Sequence, residues 1–207
     1  MQGRFITLEG GEGAGKSTQL RRLAAELRAR GLEVAETREP GGSPGAEAIR
    51  ALLLEGGEER WTIEAEALLF AAARADHVAR TIRPALERGA WVLCDRFVDS
   101  SVAYQGIAGG VGAAAVRRLH EIGSGGFLPE RTLLLELPPQ AVAERLKVRD
   151  AEGSDRIGAR SSDFHERVAS AFAALAREDP ARFRRIDASG AAEEVTARLL
   201  AALEDLL

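Results

Sequence analysis

Hydrophobic and polar positions along this chain predict short buried strands that alternate with amphipathic helices. Five apolar runs have the length of strands, and the segments between them carry apolar residues at helical spacing. The predicted strands cover residues 4–9, 32–37, 90–95, 131–137 and 183–188. The predicted helices cover residues 17–30, 46–55, 63–88, 113–123, 138–149, 163–178 and 191–207.

The order of these elements predicts an α/β fold. Strands separated by helices favour parallel pairing through right-handed crossovers. We therefore expect a three-layer α/β/α sandwich around a five-stranded parallel sheet, as one domain over residues 1–207. Pro84 is expected to kink the long helix because proline lacks a backbone N–H. Residues 99–112 look irregular, with room for a short helix, and the polar residues 150–162 predict a mobile loop.

Composition excludes several classes of protein. The net charge is −4, with 28 basic and 32 acidic residues, so a general nucleic-acid-binding surface is not expected. No apolar stretch approaches membrane-spanning length, and the first residues lack the apolar core of a signal peptide, so we expect a cytoplasmic protein without a membrane partner. The single cysteine, Cys94, excludes an internal disulfide and is predicted to be a buried apolar residue.

A glycine-rich loop between the first predicted strand and helix has the spacing of a phosphate-binding P-loop, G-x-x-x-x-G-K-[ST]. Glycines let successive N–H groups face an anion, and the following helix directs its positive end to the same point. Lys16 can reach the β- and γ-phosphates of ATP, and the Ser17 hydroxyl can bind Mg²⁺. The predicted ATP-binding residues are Gly10, Gly11, Glu12, Gly13, Ala14, Gly15, Lys16, Ser17 and Thr18.

A P-loop alone leaves the phosphate acceptor open. GTPases carry an N-K-x-D motif for the base, and none occurs in this sequence. A motor ATPase needs larger machinery, whereas a small-molecule kinase needs acceptor-binding arginines and a lid, which the sequence supplies. A nucleotide-gated switch protein remains the alternative from another class.

The third predicted strand ends in Asp95 and Arg96. Ligands of parallel α/β proteins gather at the carboxyl ends of the strands. Asp95 is therefore expected to hold Mg²⁺ through water, and Arg96 to bind a phosphate. A surface ion pair at the strand end is the alternative interpretation.

Five sequence segments, LEGGEGAGKSTQ, TREPGG, FAAARADH, DRFVDSSVAYQG and SDRI, follow one another as they do in thymidylate kinases. The chain resembles that family over nearly its whole length. The resemblance implies transfer of the γ-phosphoryl group of ATP to dTMP, giving dTDP and ADP, with Mg²⁺ as cofactor and a homodimer as the assembly. A P-loop kinase for another monophosphate or small acceptor is the alternative.

The resemblance also implies roles for individual residues. Spacing alone favours Phe70 as a core residue and Arg74 as a solvated charge, whereas the family pattern implies thymine stacking and a hydrogen bond to its carbonyl. Arg38 and Arg96 match arginines around the acceptor phosphate, and Tyr104 would exclude a ribose 2′-hydroxyl. The implied substrate-binding residues are Glu12, Arg38, Phe70, Arg74, Arg96, Ser100, Ser101, Tyr104 and Gln105.

The predicted catalytic groups combine the P-loop with a lid over about residues 148–162. Because Gly13 stands where some family members carry arginine, the chain resembles the type whose catalytic arginine lies in the lid. Arg149 and Arg156 are the candidates, of which we favour Arg156, and Lys16 completes the charge stabilisation. Glu12 is expected to face the acceptor and to accept a hydrogen bond from the 3′-hydroxyl of dTMP.

Overall fold

A five-stranded parallel sheet forms the centre of the computed structural model, which describes residues 2–138 and 155–207. Its strands are β1 (Phe5–Glu9), β2 (Val34–Arg38), β3 (Trp91–Asp95), β4 (Arg131–Glu136) and β5 (Phe183–Asp187). Their order is β2-β3-β1-β4-β5, and every neighbouring pair is parallel. The predicted five-stranded sheet is confirmed. Because β1 and β3 are neighbours, the segments that follow them lie side by side.

Eight α-helices fall within the described residues. They are α1 (Lys16–Ala29), α2 (Pro44–Leu54), α3 (Ile63–His77), α4 (Arg83–Glu87), α5 (Val98–Ser101), α6 (Ala113–Ser124), α7 (Ser162–Glu178) and α8 (Ala192–Ala201). A 3₁₀ turn covers Glu58–Arg60, and π-helical segments cover Val78–Ile82 and Val102–Ala108. Over the described ranges, no helix has both the length and the apolar character needed to cross a bilayer.

Alternation along the strands divides the core into two layers. Phe5 and Cys94 face the layer closed by α5, α6 and α7, whereas Ile6 and Leu8 face the layer closed by α1 and α8. Successive side chains of a strand point to opposite faces, so a strand buried on both sides is apolar throughout. The predicted three-layer α/β/α sandwich and the burial of the free thiol Cys94 are both confirmed.

The long helix predicted over residues 63–88 is helical throughout, as α3, the π-helical segment Val78–Ile82 and α4. Pro84 cannot donate the backbone hydrogen bond that an α-helix requires. The widened π-helical turn immediately precedes it, which is how the helix accommodates the missing donor. At the other end, the Thr62 side chain caps α3 by accepting from Ala65 N.

Two segments predicted to be irregular differ in outcome. Residues 99–112, expected to be irregular with room for a short helix, are helical over most of their length, because α5 runs directly into the π-helical segment Val102–Ala108. Of the mobile loop predicted over 150–162, residues 150–154 lie outside the described residues, and Arg156 and Ile157 are buried. Polar residues of both segments bond to partners distant in sequence, which local polarity does not reveal. The predicted helix over 138–149 lies, except for its first residue, outside the described residues.

Candidate active site

A cavity of about 380 Å³ lies beside the carboxyl ends of β1 and β3. Its lining comes from the P-loop, the segment after β2, helices α2 and α3, and the residues that follow β3. The predicted site residues that line it are Glu12, Gly13, Gly15, Lys16, Ser17, Thr18, Arg38, Phe70, Arg74, Asp95, Arg96, Ser100, Ser101, Tyr104 and Gln105. One cavity thus joins the predicted phosphate loop to the predicted acceptor site.

The P-loop presents a buried lysine at the start of α1. Lys16 Nζ donates to the carbonyl oxygens of Gly10 at 3.1 Å and Gly11 at 2.8 Å, so the ammonium group folds back over the loop. Burial, together with the positive charge of Arg96, lowers the pKa of Lys16 to about 8. An anionic phosphate would replace the carbonyl partners and favour the charged amine.

Gly10 marks the point where β1 turns into the P-loop. Its φ of 136° lies in a region that residues with a side chain rarely adopt. A Cβ at this position would also stand 2.4 Å from the carbonyl oxygen of Leu135 on β4. The glycine therefore allows the loop to leave the sheet while packed against the neighbouring strand.

Ser17 and Asp95 bring two oxygen ligands together where α1 begins and β3 ends. Ser17 Oγ donates to Asp95 Oδ2 at 2.6 Å, whereas Asp95 Oδ1 is buried and has no hydrogen-bond partner among the described residues. Hydroxyl and carboxylate oxygens suit Mg²⁺, which keeps several waters and shares its ligands with nucleotide phosphates. The described residues hold no cluster of three His, Cys, Asp or Glu ligands.

Arg96 physically connects the P-loop to the acceptor side of the cavity. Its Nη1 donates to the Gly10 carbonyl and to Ser100 Oγ, both at 3.1 Å, and its Nη2 donates to Glu12 Oε1 at 2.6 Å. Its φ of 68° is a left-handed conformation that non-glycine residues rarely adopt. Such backbone strain concentrates at functional sites, where surrounding contacts maintain it.

Glu12, the carboxylate of the P-loop, points to Arg96 and Tyr104. Besides Arg96, it receives a long hydrogen bond of 3.4 Å from the Tyr104 hydroxyl. Burial raises the pKa of Tyr104, so the phenol remains a neutral hydrogen-bond donor. The guanidinium of Arg96 lies 5.0 Å from the Tyr104 ring centroid, so the three side chains form one unit.

A second carboxyl group, that of Glu9, supports the unit formed by Arg96, Glu12 and Tyr104. It is fully buried at the end of β1, accepting from Phe97 N at 2.7 Å and from Ser100 Oγ at 2.6 Å. Burial and the nearby Asp99 raise the pKa of Glu9 to about 8. Glu9 fixes the turn after β3 and with it the backbone of Arg96.

Phe70 and Arg74 occupy successive turns of α3 on the cavity side. Phe70 is half-buried, and Arg74 is only 2% exposed. Arg74 Nη2 donates to Ser101 Oγ at 2.6 Å, and its guanidinium lies 5.3 Å from the centroid of the Phe97 ring. The interpretation of Arg74 as a solvated charge is therefore wrong.

Glu39 bonds the Arg74 guanidinium directly, and His77 bonds Glu39 in turn. Glu39 Oε2 accepts from Arg74 Nε at 2.7 Å, and Glu39 Oε1 bonds His77 Nδ1 at 3.0 Å. His77 Nε2 in turn bonds the Thr37 hydroxyl at 2.7 Å. All the polar groups are buried or half-buried, so this chain leaves Arg74 one orientation.

Two further arginines line the entrance of the cavity from the β2 and α2 side. Arg38 is exposed and donates from Nη2 to both oxygens of Glu47, at 3.1 and 3.2 Å. Arg50 donates to the Pro40 carbonyl at 2.6 Å, and burial lowers its pKa. Anions entering the cavity would meet both positive charges.

The structure buries Arg156 against Glu66 on α3. Its guanidinium is completely buried, bonds Glu66 from Nη2, and donates from Nε to the Leu53 carbonyl at 2.8 Å. Arg160 also reaches Glu66, at 2.8 Å. This placement does not fit the predicted mobile clamp, because a lid arginine must be released to reach the transferring phosphoryl group. Arg149 lies outside the described residues.

Sequence reasoning missed four supporting residues: Glu9, Glu39, Glu66 and His77. Glu66 lies four residues before Phe70 and eight before Arg74, so helical spacing could have placed it on the same face of α3. Glu39 belongs to the TREPGG segment, where only the neighbouring Arg38 was singled out. Glu9 and His77 belong to the segments LEGGEGAGKSTQ and FAAARADH, but they were not singled out because their partners come from distant elements. Of the predicted residues, Gly10, Gly11, Ala14 and Arg156 are not part of the cavity lining within the described ranges.

Comparisons with known proteins agree with this geometry. The family model described as thymidylate kinase matches residues 8–199. A thymidylate kinase from Rhizorhabdus wittichii is 65% identical over 207 residues, covering 100% of both chains, and one from Caulobacter vibrioides is 50% identical over 96% of this chain and 94% of its own. The crystal structure of thymidylate kinase from Ehrlichia chaffeensis superposes with a TM-score of 0.76 at 30% identity, covering 98% of this chain and 99% of that one. Fold, cavity and full-length similarity together show that this chain belongs to the thymidylate kinase family.

Proposed function

We propose that the cavity binds dTMP beside the P-loop-bound ATP, so that both substrates of one phosphoryl transfer meet in it. As a thymidylate kinase, the protein phosphorylates dTMP to dTDP at the expense of ATP. The observation that carries the assignment to this cavity is its continuous lining from Lys16 to Arg74. A switch protein would need only the phosphate loop.

The acceptor phosphate is assigned to Arg96 and Arg38. Arg96 is held beside the P-loop by Gly10 and Glu12, and Arg38 stands at the entrance of the same cavity. Guanidinium groups bind phosphate oxygens through paired donors. An uncharged nucleoside would not need these two cations, which favours a monophosphate over a deoxynucleoside as acceptor.

The base is assigned to Phe70, Arg74 and Gln105, and the sugar to Tyr104 and Glu12. Phe70 offers a half-buried ring for stacking, and the fixed guanidinium of Arg74 offers donors for a carbonyl oxygen. The Glu12 carboxylate is placed to accept from a 3′-hydroxyl group. In that position it would orient the nucleotide, as phosphoryl transfer is catalysed mainly by positioning and charge neutralisation.

Mg²⁺ is the proposed cofactor, held by Ser17 directly and by Asp95 through water. Bound there, the ion would neutralise charge on the β- and γ-phosphates. Ser17 and Asp95 orient each other through their 2.6 Å hydrogen bond, and the buried Oδ1 of Asp95 has room for one further donor. Lys16 supplies the protein's own positive charge to the same phosphates.

Arg149 is the proposed transition-state clamp, in a lid that precedes the anchored residues Arg156 and Ile157. The burial of Arg156 on Glu66 favours Arg149 over the other candidate for this role. Gly13 leaves the P-loop without an arginine, so the clamp must come from another segment. Lid closure would also exclude water that otherwise hydrolyses ATP.

A homodimer in the cytoplasm is the proposed assembly and compartment. Helices α2, α3 and α6 pack side by side, and each leaves a large apolar side chain exposed: Leu52, Leu68 and Ile122. Apolar side chains on adjoining helices are typical of a subunit interface. Sedimentation of wild type and of Leu68→Lys tests the proposal, which fails if both sediment identically.

A phosphorylation assay with Mg·ATP and a panel of dTMP, dUMP, dCMP and AMP tests the proposed function. We expect dTMP to give the highest kcat/KM and to yield dTDP and ADP in equal amounts. Equal rates with dCMP or AMP would refute the base assignment. ATP hydrolysis without any phosphorylated acceptor would instead support the switch protein.

A further inference from the structure

Glu66 is completely buried on α3 and has no part in the functional assignment above. It lies one helical turn before Phe70 on the cavity side of the helix. Burying a carboxylate is costly unless charged and hydrogen-bonding partners compensate for the lost water. The partners of Glu66 therefore indicate what it does.

Each oxygen of Glu66 has a different set of donors. Oε2 accepts from Arg156 Nη2 and, at 2.8 Å, from Arg160 Nη2. Oε1 accepts from Gln105 Nε2 at 2.8 Å. Guanidinium groups only donate, so both arginines require Glu66 to accept, and a carboxylate only accepts. Glu66 is thus a fixed acceptor toward Gln105.

A fixed acceptor determines which way the Gln105 amide points. The NH₂ group must face Glu66, so the carbonyl oxygen must face the opposite direction. Gln105 is 1% exposed, and its Oε1 is buried without a hydrogen-bond partner among the described residues. Buried acceptors are nearly always satisfied, so this oxygen requires a donor that the described protein residues do not supply.

The missing donor fits the base assigned to this cavity. Gln105 lines the same cavity as Phe70 and Arg74. If Arg74 donates to the 4-carbonyl of thymine, the next position on that edge of the base is N3–H, which is a donor. Cytosine carries an acceptor at N3, so its lone pair would face the Gln105 carbonyl.

We propose that Glu66 is a positioning residue that orients the Gln105 amide, so that Gln105 Oε1 accepts from N3–H of the acceptor base. The proposal rests on the proposed binding of dTMP in this cavity. Glu66 sets the specificity for N3–H although it does not touch the nucleotide. Its two arginines hold the carboxylate in the position from which it orients Gln105.

The experiment compares dTMP with its 3-deaza analogue, in which C–H replaces N3–H. The kcat/KM ratio of the two substrates reports the N3–H contact and is insensitive to a uniform loss of activity. For wild type we expect dTMP to be favoured about tenfold, as for one hydrogen bond to a buried acceptor. Glu66→Gln should reduce the ratio to near one, since its amide can donate as well as accept and no longer orients Gln105.

Glu64→Gln is the matched control, because it makes the same change at an exposed position of the same helix. It should keep the wild-type ratio. Gln105→Met, which removes the acceptor itself, should bring the ratio to near one with Glu66 intact. If Glu66→Gln does not fold, the double variant Glu66→Gln/Arg160→Met removes one of the two guanidinium groups that face position 66 and serves in its place.

The outcomes separate the inference from the proposed function. A Glu66 variant that lowers activity on both substrates equally, with the wild-type ratio retained, would assign Glu66 a structural role and overturn the proposal. A wild-type ratio near one, with dTMP still phosphorylated, would also overturn it. Failure of wild type to phosphorylate dTMP would instead refute the proposed function.

Discussion

The two ends of the cavity are built on different principles. The phosphate loop, residues 10–18, is contiguous in sequence, and its backbone carbonyls hold Lys16. The proposed base-binding wall consists of buried side chains joined across the chain: Arg74 to Glu39 over 35 positions, and Gln105 to Glu66 over 39. A backbone cradle suits any polyphosphate, whereas a network of fixed side chains can distinguish one base from another.

This difference determines how each end should respond to mutation. The loop depends on one positive side-chain charge, that of Lys16. Loss of that charge should lower the reaction rate and leave the fold intact. The wall depends on buried ion pairs, whose disruption leaves an uncompensated charge and should affect stability as well. The following variants test that distinction, beginning with the largest effect.

Lys16→Ala should lower kcat on the order of 10³-fold, because it removes the loop's charge for the transferring phosphates. The melting temperature should stay within a few degrees, since the side chain bonds only to loop carbonyls. Arg30→Ala, at the exposed end of the same helix, is the control and should leave kcat unchanged. If Lys16→Ala retained the wild-type kcat, the transferring phosphates would have to bind away from Lys16.

Arg156→Ala should lower the free energy of unfolding by about 3–5 kcal/mol, because the fully buried Glu66 loses its buried cationic partner and keeps only Arg160. Arg149→Ala should leave stability unchanged and lower kcat, since Arg149 is the proposed clamp. Urea unfolding and steady-state kinetics measure the two effects. If Arg156→Ala kept the wild-type stability and lost as much kcat as Arg149→Ala, Arg156 would again be the candidate for the transition-state clamp.

Glu12→Gln should lower kcat/KM for dTMP by roughly 10- to 100-fold, the value of a charged hydrogen bond. The variant weakens the hold on Arg96 and replaces the acceptor for the 3′-hydroxyl. KM for ATP should change little, because the carboxylate faces the acceptor side. Glu26→Gln, on the exposed face of α1, is the control. If both variants had the same kcat/KM for dTMP, Glu12 would be a solvated loop charge.

The pH dependence of kcat/KM for ATP should differ from that of kcat, because the first reports on the free enzyme and the second on the enzyme with its substrates bound. Burial lowers the pKa of Lys16 to about 8, and the protonated amine is the form that binds phosphate. Above pH 8, kcat/KM for ATP should therefore fall about tenfold per pH unit, while kcat stays level because bound phosphates favour the charged amine. A kcat/KM for ATP that remains constant to pH 9.5 would contradict this assignment.

The sequence predicted the phosphate end of the cavity more completely than the base end. Strand and helix periodicity predicted the parallel sheet, and spacing predicted Lys16 and Ser17 without any tertiary information. Phe70 and Arg74 needed the family resemblance, because helical spacing alone favours a core phenylalanine and a solvated arginine. The burial of Arg156 was not predictable, since its partner Glu66 stands 90 positions away.

A crystal structure with dTMP and a non-hydrolysable ATP analogue tests the central claim most directly. We predict the thymine ring on Phe70, the acceptor phosphate at Arg96, and the γ-phosphate at Lys16, with the reacting atoms roughly 3–3.5 Å apart. Binding of dTMP outside the cavity, or with its phosphate turned away from the P-loop, would contradict the account.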